Sequence, residues 1–173
     1  MAQPANYSVV ESLSDGRLVE IRALRPQDRS AFVAAVERSS AESLYTRFFA
    51  PRRRLSPHEV AFFLNVDFVG HVALVAVVDE GGRPAIIGGG RYLVLSAKIA
   101  EAAFTVIDQY QGRGVGKLLM RHLAAIAHAA GLKQLVADVL SHNAAMLKVF
   151  ADSGLRLTTT QEADIVHVTL ELC

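Results

Sequence analysis

The chain has 173 residues, a length typical of one compact domain. Hydrophobic residues make up 51% of it and charged residues 20%, which argues against global disorder and allows a sizeable core. The net charge of +1 gives no electrostatic basis for nucleic acid or an anionic membrane as the main partner.

The chain carries no pattern typical of export or membrane insertion. The first eleven residues lack a basic segment followed by an apolar run, and the longest apolar stretch, residues 72–78, is too short to span a bilayer. A single cysteine, Cys173, cannot form an internal disulfide. We therefore expect a cytoplasmic protein that does not bind a membrane.

In chain order, residues 1–15 are expected to form a tail or a weak edge strand ahead of a single domain over residues 16–173. Residues 18–22 have strand character. Three helices are then expected to begin near residues 26, 40 and 57 and to end near residues 38, 49 and 64. The second and third carry Ser and Glu at capping-box spacing, and the third also has proline in its first helical position.

The middle of the chain changes to β-branched residues separated by glycine turns. The remaining predicted elements are three antiparallel strands (72–78, 85–94, 100–107), a long helix (114–130), a strand (134–140), a short helix (143–152) and a closing hairpin (155–160, 164–170). Strand–helix–strand connections imply parallel pairing in this second half. The predicted fold class is α/β (α+β), with a mixed central sheet flanked by helices.

A glycine-rich loop lies between a predicted strand and the long helix, and it reads Gln111-Gly112-Arg113-Gly114-Val115-Gly116-Lys117. Glycine lets a backbone approach a ligand closely. The first N–H groups of a helix have no intrahelical acceptor, and the helix dipole favours an anion there. The loop therefore predicts a phosphate or pyrophosphate site, to which Arg113 and Lys117 could add positive charge.

The spacing of the glycines distinguishes this loop from two well-known phosphate-binding motifs. A Walker A loop needs four residues between its glycines and Ser or Thr after the lysine, whereas here three residues separate Gly112 from Gly116 and Leu118 follows the lysine. The pattern G-x-G-x-G also departs from the dinucleotide-binding G-x-G-x-x-G. A glycine turn without a ligand is the remaining alternative.

The segment 111–116 resembles the Gln/Arg-x-x-Gly-x-Gly/Ala signature of the GCN5-related N-acetyltransferase (GNAT) family, which cradles the pyrophosphate of coenzyme A. The order of predicted elements from residue 18 to residue 170 is similar to that of the family. The resemblance implies a mostly antiparallel mixed sheet and acyl transfer from acetyl-CoA to an amine. It assigns cofactor contacts to Gln111, Gly112, Arg113, Gly114, Val115, Gly116 and Lys117.

Four segments resemble more narrowly the bacterial protein lysine acetyltransferases often called Pat, namely residues 25–28, 41–49, 100–106 and 141–147. Those enzymes modify acyl-CoA synthetases and commonly carry an extra regulatory or synthetase-like domain. This chain is expected to be the catalytic domain alone. The resemblance implies a protein lysine as acceptor.

Glu101 is the predicted general base. It lies in a predicted strand whose other residues are small or apolar, a setting suited to taking a proton from the amine directly or through a water. By resemblance, a glutamate in this strand is the base of the protein acetyltransferases. Alternation along a strand does not fix its facing, so the alternative is that Glu101 faces solvent on the far side.

Other contacts follow from the resemblance. It assigns the pantetheine arm and the thioester carbonyl to backbone groups of Phe104, Thr105 and Val106. Asn143, at the start of a predicted helix, is an N-cap, a cofactor contact or both. Many family members carry a tyrosine acid seven residues further on, where this chain has Phe150. Because phenylalanine has no proton to donate, a tyrosine-acid mechanism is excluded.

The remaining polar residues give weaker signals. The six histidines show no metal-ligand spacing, so no metal is expected. They are expected to be surface or packing residues, and the alternative is that one of them, His142, touches the cofactor. Residues 52–54 are three arginines, expected to be a solvated turn or a docking site for an acidic patch. Three functions stay open: a protein lysine acetyltransferase, a small-amine acetyltransferase and a silent acyl-CoA sensor. The oligomeric state is not predicted.

Overall fold

The computed structural model describes residues 3–49 and 54–172. Within this part of the chain, eight strands form one sheet: β1 (Ser8–Ser12), β2 (Leu18–Ala23), β3 (His71–Glu80), β4 (Arg83–Val94), β5 (Ile99–Val106), β6 (Gln134–Leu140), β7 (Arg156–Glu162) and β8 (Ile165–Glu171). The five α-helices described are α1 (Arg29–Glu37), α2 (Ala41–Phe48), α3 (Pro57–Leu64), α4 (Val115–Ala129) and α5 (Ala144–Ala151). The predicted fold class is confirmed.

The strands lie in the order β1-β2-β3-β4-β5-β6-β8-β7. Of the pairs described, only β5 and β6 run parallel, as expected for strands joined through a helix. The strand–helix–strand connection from β6 to β7 gives no neighbouring pair, because β8 inserts between them and pairs antiparallel with both. The N-terminal segment forms the edge strand β1, which pairs with β2.

The helix expected from residue 26 differs at its start. A 3₁₀ turn at Pro26–Asp28 precedes α1. The Asp28 carboxylate accepts hydrogen bonds from Nη1 and Nη2 of Arg22 at 2.8 and 2.9 Å and from the backbone N–H of Arg25 at 2.8 Å. Burial of Asp28 opposes ionisation, but these bonds outweigh it and hold the pKa of the carboxyl below its ordinary value. The buried pair ties the entry of α1 to the end of β2.

Helices cover both faces of the sheet. Gly90 and Phe104 face α4, since a Cβ at residue 90 would meet Phe104 and Leu119. Arg91 and Ala103, one residue further along each strand, face the side that carries α1–α3. No helix among the described residues is both long and apolar enough to cross a membrane.

The starts of α3 and α5 carry the predicted caps, whereas α2 is capped by Ser40, one residue later than the Ser39–Glu42 spacing predicts. Ser40 accepts from the N–H of Ser43, Ser56 forms a reciprocal capping box with Glu59, and Asn143 accepts from the N–H of Met146. These side chains satisfy N–H groups that would otherwise lack an acceptor. Arg52 and Arg53 of the predicted basic turn, and Cys173, lie outside the described residues.

Candidate active site

The β5–β6 ladder stops part-way along the two strands. Its registered pairs join residues 99–101 to residues 134–136, and the last pair is Glu101 with Val136. Beyond that point, residues 102–106 of β5 and 137–139 of β6 line opposite walls of a cleft of about 650 Å³. Backbone polar groups on this edge of β5 therefore lack a partner from β6 and can bind an extended ligand.

One end of the cleft is formed by the start of α4. Gly112 and Gly114 have φ angles of +76° and +90°, which favour glycine, and Gly114 is an N-cap that offers no side-chain hydrogen bond. The first turn of α4 contains no acidic residue. The first N–H groups of α4 are thus left for an anion, as the sequence pattern predicts.

Tight packing of α5 holds this end of the cleft in place. A Cβ at Gly116 would lie 3.3 Å from Cγ2 of Val149, so α4 and α5 approach closely there. Asn143 lines the cleft and uses its Oδ1 to cap α5, at 3.2 Å from the N–H of Met146. The cap leaves the side-chain NH₂ group of Asn143 available for a ligand.

Most of the predicted cofactor-binding residues meet in this cleft. Its described lining includes Phe104, Thr105, Val106, Gln111, Gly112, Gly114, Val115, Gly116, Lys117 and Asn143. His142 also lies along it and is exposed. The side-chain amide of Gln111 donates to the backbone oxygen of Val106 at 3.0 Å, which fixes the loop against the end of β5.

The side chain of Arg113 is directed elsewhere. Its guanidinium donates to Oδ2 of Asp15 at 3.1 Å and stacks over the ring of Tyr110, 5.1 Å from the centroid. Arg113 is not among the residues described as lining the cleft. Its charge therefore anchors the turn between β1 and β2, and Lys117 is the loop cation that lines the cleft.

Glu101 lies at the point where the ladder ends. Its side chain is exposed, and strand alternation places it on the same face as Ala103 and Thr105, the face covered by α1–α3. The negative charge of Glu101 favours the charged form of Arg47 in α2. Glu101 is not among the described lining residues of the cleft, so its role as a base stays a prediction.

An aromatic pair closes the cleft beside β5. Phe150 is 2% exposed, and its ring packs edge-to-face on Phe104 with centroids 5.9 Å apart and planes at 71°. This contact stabilises α5 against the strand. Neither ring can give a proton, in agreement with the sequence-based exclusion of a tyrosine acid at residue 150.

The sequence alone did not identify the contacts that join α2 to the glycine loop. Oδ1 of Asp108 accepts hydrogen bonds from the N–H of Ser40 and from the hydroxyl of Ser43, both at 2.9 Å. Nearby, the hydroxyl of Tyr110 donates to Oε2 of Glu80 at 2.6 Å. These partners are far apart in the chain, and only the position of residues 108–110 just before the glycines could have indicated them. Among the described residues, no three potential metal ligands cluster.

The sequence model of the acetyltransferase (GNAT) family matches residues 21–155, which include both walls of the cleft and the glycine loop. The chain belongs to this family. It is an acetyl-CoA-dependent N-acetyltransferase. In this GNAT enzyme, the free edge of β5 offers backbone groups to an extended ligand, and the start of α4 offers N–H groups to an anion.

Similar proteins agree with this assignment. Acetyltransferase PA5475 of Pseudomonas aeruginosa is 36% identical over 138 residues, which are 79% of this chain and 74% of that protein. Acetyltransferase Pat of Mycolicibacterium smegmatis is 34% identical over 141 residues, 80% of this chain but 41% of that protein. The chain thus spans less than half the length of this second relative.

Solved structures show the same architecture. The GNAT domain of S. lividans PAT superposes with a TM-score of 0.85 at 36% identity and covers 95% of this chain and 96% of that one. The yncA protein of Salmonella typhimurium, solved with its cofactor acetyl-CoA, gives a TM-score of 0.69 at 18% identity over 88% of this chain and 92% of that one. At that identity the second match shows the shared fold.

Proposed function

We propose that this GNAT enzyme transfers an acetyl group from acetyl-CoA to the side-chain amine of a protein lysine, with Glu101 as the general base. The observation that carries the proposal is the end of the β5–β6 ladder at Glu101 and Val136, where the cleft opens. A thioester bound along the free edge of β5 would lie close to the only acidic side chain of that strand. The lysine acceptor is supported by the four segments that resemble the Pat enzymes.

The proposed reaction is a direct attack on the thioester. The amine nitrogen forms a bond to the carbonyl carbon, the carbon–sulfur bond breaks, and the amine proton passes to Glu101 directly or through a water. Backbone N–H groups on the edge of β5, at Phe104, Thr105 or Val106, would stabilise the charge on the carbonyl oxygen. Since residue 150 is phenylalanine, the thiolate of coenzyme A leaves as such or takes its proton from water.

The other end of the cleft is proposed to bind the pyrophosphate of the cofactor. The N–H groups of Val115, Gly116 and Lys117 are the first of α4 and would hold the pyrophosphate. The ammonium group of Lys117 and the side-chain amide of Asn143 are among the polar groups of the described lining and would add contacts to the cofactor.

The test follows an isotopic label from acetyl-CoA into a cell lysate incubated with the enzyme. We expect labelled protein bands, with acetyl-lysine found by mass spectrometry, and no label with heat-inactivated enzyme. Label found only in small molecules would contradict the protein acceptor. Binding of acetyl-CoA without any transfer would favour a sensor and contradict the reaction.

A further inference from the structure

A second, smaller cavity adjoins the cleft on the face covered by α1–α3. It has a volume of about 70 Å³ and is mostly apolar, and Arg47, Ala103 and Thr105 line both it and the cleft. Arg91 of β4, which is paired with Ala103 in the β4–β5 ladder, lines the smaller cavity. Two guanidinium groups thus converge beside the part of β5 along which the thioester is proposed to lie.

Both guanidinium groups pack on one phenyl ring. The central carbon of Arg91 lies 4.7 Å from the ring centroid of Phe63 and that of Arg47 lies 5.8 Å from it. Nη1 of Arg91 donates to the backbone oxygen of Phe63 at 2.9 Å and to Nε2 of His71 at 2.8 Å. Nη2 of Arg91 and the whole guanidinium of Arg47 have no hydrogen-bond acceptor among the described residues.

The two arginines also lack a carboxylate partner within ion-pair distance in the described part of the chain. The undescribed residues 50–53 are Ala, Pro, Arg and Arg, so they cannot supply a carboxylate. By contrast, two other partly buried arginines each form a bidentate pair, Arg22 with Asp28 and Arg38 with Glu80. Arg47 and Arg91 therefore have unused capacity to bind an anion.

The local charges favour an anion in this cavity. Burial lowers the pKa of Arg47 to about 10, and Glu101 opposes this shift. Burial and the charge of Arg47 lower the pKa of Arg91 to about 9. Burial and Arg91 lower the pKa of His71 to about 4, so the imidazole is neutral at pH 7 and accepts the hydrogen bond. Two half-buried cations without a paired anion are unfavourable, and a bound carboxylate would relieve this.

We propose that Arg47 and Arg91 bind a carboxylate of the acceptor, next to the amine that Glu101 deprotonates. This inference rests on the proposed function, because it takes Glu101 as the base. The negative charge of Glu101 and the positive charges of the arginines then match an acceptor that carries both an ammonium and a carboxylate. A planar guanidinium with free N–H groups binds a carboxylate through two hydrogen bonds. The carboxylate is that of an acidic residue beside the acceptor lysine or that of a free amino acid.

The test measures acceptor binding by calorimetry to the full chain saturated with coenzyme A, so that it does not depend on turnover. One arm compares lysine peptides with Asp or Asn beside the lysine, and the other compares free amino acids with their amides. In one arm we expect the acceptor with a carboxylate to bind more tightly than its neutral counterpart. That arm shows whether the carboxylate belongs to an acidic residue of a peptide or to a free amino acid. Arg47→Met and Arg91→Met should weaken binding of the carboxylate form by about 10- to 100-fold, the loss expected for charged hydrogen bonds.

The controls separate recognition from folding. Both variants should bind the Asn or amide acceptor as the wild type does, and Arg47→Lys should recover part of the affinity. Arg83→Met, at an exposed arginine of β4, should leave the affinity for both acceptors unchanged. Equal affinity for the carboxylate and neutral acceptors in the wild type overturns the proposal, as does an equal loss for both in the variants. Carboxylate-dependent binding without acetyl transfer would instead contradict only the proposed function.

Discussion

Gly90 lies directly opposite Phe104 in the β4–β5 ladder, and the ring of Phe104 occupies the space that a side chain at residue 90 would need. A Cβ at residue 90 would lie 2.7 Å from two ring carbons of Phe104. The same ring lines the cleft and packs on Phe150. The absence of a side chain at residue 90 of β4 therefore sets the shape of the cleft beside the next strand.

Replacing Gly90 with Ala should destabilise the protein and reshape the cleft. Overpacking of a core costs about 1–3 kcal/mol, and each kcal/mol lowers Tm by about 2–4 °C for a chain of this size. Thermal unfolding and acetyl-CoA calorimetry measure the two effects. Gly70→Ala is the control, because its Cβ would meet only Oδ2 of Asp67 at 3.8 Å. Equal Tm values for the two variants would show that Phe104 moves aside freely.

Glu101→Gln tests the general base. The amide cannot accept the amine proton, so kcat should fall by about 10²- to 10⁴-fold, the usual contribution of general base catalysis. The affinity for acetyl-CoA should not change, since Glu101 is not among the described residues that line the cleft. Glu37→Gln, at an exposed position on α1, is the matched control. Turnover near that of the wild type would remove Glu101 from the mechanism.

Lys117→Ala tests the charge at the start of α4. Loss of one exposed cation beside a pyrophosphate should weaken acetyl-CoA binding by about 3- to 10-fold at low salt, which is about 1 kcal/mol. Added salt should reduce this difference, because it screens exposed charges. Calorimetry at two ionic strengths measures both effects. Lys133→Ala, at an exposed lysine away from the cleft, should bind as the wild type does. A salt-independent loss would indicate a packing defect.

Asn143 has two proposed roles that two substitutions separate. Asn143→Ser keeps an N-cap oxygen, whereas Asn143→Ala removes it at a cost of about 1 kcal/mol of stability. We expect only the alanine variant to lower Tm, and both to weaken acetyl-CoA binding because both lose the amide. Full affinity in the serine variant would show that Asn143 serves as a cap alone.

Asp28→Asn should reveal the buried pair beneath α1. The side chains of Arg22 and Asp28 are each 10% exposed, so leaving the arginine without its anion should lower the free energy of unfolding by about 3 kcal/mol at pH 7. Asp152→Asn removes the exposed partner of Lys148 and should change stability by less than about 1 kcal/mol. Denaturant unfolding compares the two variants.

The same pair predicts a pH dependence. The folded protein holds the pKa of Asp28 below its ordinary value of 3.8. The stabilisation is therefore complete above pH 3.8 and is lost as the pH falls through the lower, folded-state pKa. The difference between the wild type and Asp28→Asn should shrink over that acidic range. A difference that stays constant with pH would contradict an ionised Asp28.

Local patterns allowed much of this fold to be predicted. The caps at Ser56 and Asn143 satisfy N–H groups within the same turn, so their signals lie within four residues. The parallel pairing of β5 and β6 follows from the helix between them. The insertion of β8 beside β6 depends on how the closing hairpin docks, which no local pattern encodes.

The site was predictable best where short sequence motifs form it. The glycine loop is such a motif, and its residues lie in the cleft except for the side chain of Arg113. That side chain pairs with Asp15, which lies 98 residues away in the chain. No local sequence pattern indicates a contact between residues so far apart. The convergence of Arg47 and Arg91 on Phe63 likewise depends on the packing of α2 and α3 on β4.

The short junction of β5 and β6 has a mechanical consequence. Three registered residue pairs are all that the described ladder provides between the N-terminal strands and the unit formed by β6, β8 and β7. Beyond these pairs, the described residues of β5 and β6 are not hydrogen-bonded to each other. A molecule bound in the cleft could form hydrogen bonds to both strands. Acetyl-CoA bound there would add hydrogen bonds across this gap between the strands, so loading the enzyme should stiffen the junction of β5 and β6.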